Sequence, residues 1–202
     1  VCVDITEQRK AQDELRAKDE RFRALIENIT DIIALVDDNG KIIFASPSTE
    51  KILGFKTEEY VGKNIFDLIH PEDIDSSKDI FKDVLSKEGN IISNIQFRLK
   101  NAKENWRWHE ATFHNLLNDP SIAAVVVNHS DITERKQAEE EILLQKSYFQ
   151  QLFESSPEGI VILDNQERIV NVNKGFEKMF QFSVNEIAGK DLNRIIVPGS
   201  LL

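Results

Sequence analysis

Cysteine is nearly missing: Cys2 is the single one in 202 residues. That excludes a disulfide frame, a thiolate metal centre and a CxxC redox pair. Long apolar runs are missing as well. The longest, at 32–36 and 122–127, fall far short of the roughly 18 residues a membrane helix needs. Basic charge is in deficit, with 35 acids against 25 bases and a formal charge of −10. Sequence-independent nucleic-acid binding requires the opposite balance. No stretch has the make-up of a signal peptide and the chain opens at Val1, so the reading is a soluble, cytoplasmic piece of a longer protein. What is plentiful is apolar residues, 41% of the chain, enough for a real core.

The sequence repeats itself. Asp4-Ile5-Thr6-Glu7 returns as Asp131-Ile132-Thr133-Glu134, and holding that offset aligns 1–75 with 128–202 without gaps. About 20 of those positions are identical, where chance would give roughly 5. Matches run from Ala11/Ala138 and Phe22/Phe149 through Ile33/Ile160 and Asp37/Asp164 to Gly62-Lys63/Gly189-Lys190. The expected division is a tail of a preceding unit at 1–6, a linker helix over 7–29, and one whole unit over 22–133. A second linker helix over 134–156 and the first half of another unit over 149–202 complete it.

Each Asp-x-Thr-Glu places oxygen-bearing side chains where a helix start has unpaired N–H groups. Along the helices that follow, Ala11, Leu15, Lys18, Phe22 and Leu25 step by 4, 3, 4, 3, as do Ala138, Ile142, Gln145, Phe149 and Leu152. That is a heptad seam with one polar position per copy. Periodicity alone leaves two partners open, the helix's own domain or a second copy. Next come an apolar run, a turn at Asp37-Asp38-Asn39-Gly40, and a second apolar run, the pattern of a β-hairpin. Short helical turns fill 46–70, with Ser46 and Asn173 placed as N-caps, and a longer helix covers 71–86. Three strands follow, at 91–99, 106–117 and 122–128. The order predicts an α+β domain, one five-stranded antiparallel sheet with helices on one side.

Gly54-Phe55-x-x-Glu58-Glu59-x-x-Gly62-Lys63, then Leu68-Ile69-His70-Pro71-Glu72-Asp73, resembles the helical core of a PAS domain. Arg107-Trp108 and Asp131-Ile132-Thr133-Glu134-Arg135-Lys136 are similar to the C-terminal PAS signature, the PAC part. The resemblance implies a sensor of signal transduction, typically in tandem in prokaryotic two-component proteins. Such a domain holds a small ligand between sheet and helices, or serves only in dimerisation and relay. It implies that Asp131 and Thr133, and Asp4 and Thr6 in the earlier copy, couple the sheet to the signalling helix. The output in such proteins is commonly a histidine kinase or a diguanylate cyclase. This chain carries neither an ATP-binding glycine motif nor GG(D/E)EF, so it reads as no enzyme. Flavin–cysteinyl chemistry needs a cysteine in the helical core, which here reads Gly62-Lys63-Asn64-Ile65-Phe66-Asp67. Haem sensing of this kind uses a histidine in the long helix, and 71–87 has none; His70 reads as structural. The leading reading is a non-catalytic relay module, by ligand sensing or dimerisation or both; a sensor bearing haem, flavin or a small acid, and the input region of a kinase or cyclase, are the alternatives.

Other chemistry finds little footing. Asp37-Asp38, Glu58-Glu59 and Glu139-Glu140-Glu141 lie in turns or on helix surfaces, without the apolar wall that would raise one pKa. A tight turn over 118–121 pairs residues summing to 239, which sets His114 opposite Val125 and His129 about 13 Å along the same face. His109 then falls on the other face, and no metal site results. Trp106 and Trp108 share one strand face and read as packing residues.

Overall fold

The computed structural model describes residues 29–192, with Arg16, Arg21, Ala24, Ile26 and Ile195. The predicted helix over 7–29 therefore lies almost wholly outside the described residues. The chain falls into two compact units, Val1–Lys136 and Gln137–Leu202.

In the first unit, strands β1 (Ile32–Val36) and β2 (Ile42–Ala45) form the hairpin foreseen from Asn39-Gly40. Asp37 Oδ1 accepts the N–H groups of Asn39 and Lys41 at 2.9 and 2.8 Å, and Gly40 takes φ 79°. Helices α1 (Ser48–Leu53) and α2 (Thr57–Tyr60) and two 3-10 turns (Ile65–Asp67, Pro71–Asp73) lead into α3 (Ile74–Leu85). Strands β3 (Ile91–Lys100), β4 (Trp106–Leu116) and β5 (Ala124–Asp131) complete one antiparallel sheet in the order β2-β1-β5-β4-β3. The architecture is the predicted α+β one.

Period-2 alternation sends Ile32, Ala34 and Val36 inward from β1 and Ala111 and Phe113 inward from β4. They meet Phe81 and Val84 of α3, Leu53 of α1 and Tyr60 of α2 in one core. Each such fully buried aliphatic side chain contributes roughly 1.5–3 kcal/mol. Asn115, buried at the end of β4, donates to the carbonyls of Val84 and Lys87 at 3.1 and 3.0 Å, satisfying the C-terminus of α3.

Ser46 does not cap α1. Its Oγ accepts the Ile33 N–H at 2.9 Å and bonds Ser48 Oγ at 2.6 Å, while Ser48 donates to the Asp31 carbonyl at 2.7 Å. The cap position belongs to Pro47, which has no side-chain oxygen to offer. Ser46 is thus taken up in holding the chain against β1.

Helix α4 (Thr133–Ser155) leaves the sheet directly. In the second unit, β6 (Val161–Leu163) and β7 (Ile169–Val172) form a hairpin, followed by α5 (Lys174–Phe180) and α6 (Val184–Ile187). Ile169, Val172, Phe176 and Ile187 make its core. The repeat is visible in detail: Asp164 Oδ1 accepts from Gln166 and Arg168 as Asp37 does from Asn39 and Lys41. Here Asn173 does cap its helix, its Oδ1 taking the Phe176 N–H at 2.9 Å.

Candidate functional site

Two features of the first unit stand out, a cavity under the sheet and the junction where β5 becomes α4. The cavity is walled by Ala34, Tyr60, Ile69, Phe97, Phe113 and His129, among others, and encloses about 30 Å³. That is room for about two waters. Neither a haem nor a flavin fits a space of that size, since sites for such groups run to roughly 300 Å³ and more. Burial pushes the Tyr60 phenol up, so it stays protonated.

His129 lines this cavity and pairs with His109, which a tight turn over 118–121 would set on the opposite face. The β4–β5 register pairs His109 with Asp131 and Ala111 with His129, a sum of 240. One position of slip reverses every side chain. His109 and His129 therefore share the inner face as diagonal neighbours, and His114, opposite Val126, lies on the outer one. The cause is the connection: Asp119 accepts from Ser121, Ile122 and Ala123, and Ala123 takes φ 47°, so the connection widens to 117–123 and the register shifts by one. The two Nδ1 atoms lie 2.9 Å apart, with His109 wholly buried and His129 4% exposed. Burial, with Arg107 adding and Asp131 opposing, lowers His109 to about 4. Burial, then the neighbouring His109, lowers His129 to about 3. Among the described residues, no group of three or more His, Cys, Asp or Glu gathers around one point.

At the junction, Trp108 N–H donates to Thr133 Oγ1 at 2.9 Å, and Ile132 N–H donates to the Trp108 carbonyl at 2.8 Å. Asp131 Oδ1 accepts the Thr133 N–H at 2.8 Å, capping the helix, and its Oδ2 lies 3.2 Å from Arg107 Nε as an ion pair. Arg135 on the first turn of α4 reaches back to Glu110 of β4 at 2.9 Å. The β-ladder thus passes into the helix through Asp131, Ile132 and Thr133, two of them buried.

Beyond the junction α4 is exposed from 137 to 152. Of the seam residues, Ala138 is exposed, and Ile142, Phe149 and Leu152 are 66%, 57% and 52% exposed. Gln145 bonds Glu141 on the same helix. Asp4, Thr6, Ala11, Leu15, Phe22 and Leu25 lie outside the described residues. His70 accepts the Glu72 N–H with Nδ1 at 3.2 Å and packs against Trp106 at 4.6 Å, so its ring caps a turn. Trp108 lies between Arg98 and Lys136, 5.4 and 5.5 Å from its ring. Among the described residues no helix is long and apolar enough to cross a membrane.

The histidine pair went unread because it depends on register, which no local motif carries. The only prior sign was the short spacing of His109 and His129 across a hairpin.

Similarity to known proteins agrees with this geometry. The chain is 28% identical over 198 residues to sporulation kinase E of Bacillus subtilis, covering 97% of this chain and 26% of that one. It is 32% identical over 150 residues to sporulation kinase A of the same organism, 71% of this chain and 23% of that one. It is also 23% identical over 175 residues to the oxygen sensor protein DosP of Escherichia coli, 83% and 20%. The chain thus spans about a quarter of these relatives. The PAS domain of an HTR-like protein from Haloarcula marismortui shares the fold at a TM-score of 0.53 and 17% identity, over 61% of this chain and 99% of that one. A PAS-domain family model matches 147–200, and the PAS-fold model matches 20–138, more than half the chain. The chain belongs to the PAS family of sensory domains.

Proposed function

We propose that this chain is a non-catalytic relay segment of a larger cytoplasmic signalling protein, working as a homodimer. The state of the sheet passes through Asp131 and Thr133 into α4. Ala138, Ile142, Phe149 and Leu152 then form the seam against the same helix of a second copy. The observation that carries this reading is the hydrogen bond from Trp108 N–H to Thr133 Oγ1, by which the first residue of the helix holds the backbone of β4. The apolar side chains of α4 support the second half, since so many in a row on one exposed helix mark an interaction surface. The output is a kinase of the kind the relatives' names describe, carried by a part of the protein beyond this chain. Any ligand held under the sheet is limited by the cavity to a few heavy atoms unless the core repacks.

Native mass spectrometry of the purified chain, beside a denatured sample, tests this. A dimer supports the relay, and extra mass lost on denaturation would supply the ligand's mass. A bare monomer, or turnover of ATP or GTP by this chain, contradicts the reading.

A further inference from the structure

We propose that His109 and His129 form an acid-responsive latch between β4 and β5, whose opening loosens the junction with α4. The regulation concerns the junction given a relay role above, and rests on that role for its consequence, though not for the latch itself.

The geometry sets the chemistry. Two Nδ1 atoms at 2.9 Å leave space for one hydrogen, so one ring donates and the other accepts through its lone pair. One added proton leaves that bond intact but places a charge in the core. A second puts N–H groups on both Nδ1 atoms, removes the lone pair between them, and forces the rings apart. The Nε2 of His109 is buried without a hydrogen-bond partner, so a proton taken there gains no acceptor.

The surroundings offer the charged pair little shelter. On β4 and β5 the facing charges are Arg107, which opposes protonation of His109, and Asp131, which favours it. Asp131 is already engaged by Arg107 and the Thr133 N–H. From β3 the register partner of His109 is Phe97, and from β1 that of His129 is Ile32, which follows Asp31. From the helical layer Tyr60 shares the cavity wall with His129. Glu110, next along β4, is held by Gln96 and Arg135.

His109 lies opposite Asp131 in the ladder, and its neighbour Trp108 bonds both Ile132 and Thr133. Parting the rings therefore disturbs the strand pair at the position where α4 begins. An imidazole released to its ordinary pKa of about 6.5 favours the open state by about 100-fold at pH 4.5, for each ring released.

The test is NMR of the full chain with labelled histidine, from pH 7.5 to 4.5, following the imidazole nitrogens and the exchange of the Trp108, Ile132 and Lys136 amides. The expected result is that the His109 and His129 rings stay neutral until the lower end of that range. Once intrinsic pH effects are removed, the Trp108 and Ile132 amides then open at least tenfold more at pH 4.5. His129→Phe removes that response, and His109→Gln does so where the first variant folds poorly. Pair resonances that titrate near 6.5 without any change in the amides overturn the latch, as does an acid response that survives in both variants. If the Trp108 and Ile132 amides respond while Lys136 does not, the latch stands and the relay reading fails.

Discussion

Arg98 closes on Asp73 with three hydrogen bonds. Its Nε and its backbone N–H each reach Oδ2 at 2.9 Å, and Nη2 reaches Oδ1 at 2.7 Å. Glu72 adds a fourth contact at 2.8 Å. The Pro-Glu-Asp turn is thereby fastened to β3, 25 residues on, and the entry of α3 is set against the sheet. The Asp73 side chain is mostly buried, so the fork–fork pair is worth more than a surface ion pair.

Replacing Asp73 by asparagine removes that charge and should lower unfolding stability by about 1–3 kcal/mol, measured by urea denaturation. The Arg98 hydrogen bonds hold the Asp73 carboxyl below its usual range. The stability it lends is therefore whole above the unfolded carboxylate pKa, about 3.9, and is lost as pH falls through the lower folded value. The histidine pair acts in another window: both are lowered in the fold, so stability declines as pH falls below about 6.5 and toward 4. Acid unfolding should show two limbs, of which Asp73→Asn removes only the lower.

Asn173 carries alone what Ser46 and Ser48 share in the first unit. Its Oδ1 takes the Ile160 N–H at 2.8 Å and its Nδ2 reaches the carbonyls of Phe153 and Glu158 at 2.9 and 2.8 Å. Room for this comes from Gly175, where a Cβ would press on Glu158 O and come within 2.8 Å of Ser156 O. Asn173→Ala should cost on the order of 3 kcal/mol, from several buried groups left unpaired. Hydrogen exchange at the Ile160 and Phe176 amides, which Asn173 accepts directly, reports it.

Glu167 occupies the turn position that Gly40 fills in the first unit, at φ 59° against 79°. A side chain in that left-handed region costs roughly 1–2 kcal/mol. Glu167→Gly should raise the stability of the β6–β7 hairpin by about 1 kcal/mol, read as slower exchange at Asp164 and Ile169.

Much of this was legible in the residues. Asn39-Gly40 and the alternation around it located the first hairpin, because a short turn and its strands are local. Asp131-Ile132-Thr133 marked the helix entry for the same reason. The Arg98–Asp73 lock was not legible: Arg98 looks like any outward polar residue of an alternating strand, and its partner sits on another element. Nor was the histidine pair, since the connection after β4 holds Asp119 in a widened turn, and a one-residue error there moves His109 to the wrong face.

The exposed stripe of α4 makes a direct prediction. Phe149→Asp places a charge in the proposed seam and should weaken self-association by at least about tenfold, seen by sedimentation equilibrium. Glu140→Asp, off the seam, should leave the association constant unchanged.

The central claim is that sheet and helix α4 open as one at Thr133, and amide exchange in Thr133→Val addresses it most directly. Valine keeps the shape but leaves the Trp108 N–H without its acceptor, at a cost of roughly 1–3 kcal/mol. The account predicts that exchange at Trp108, Ile132 and Lys136 rises together, by about tenfold or more. A rise at Trp108 alone, with Ile132 and Lys136 as slow as before, would contradict it.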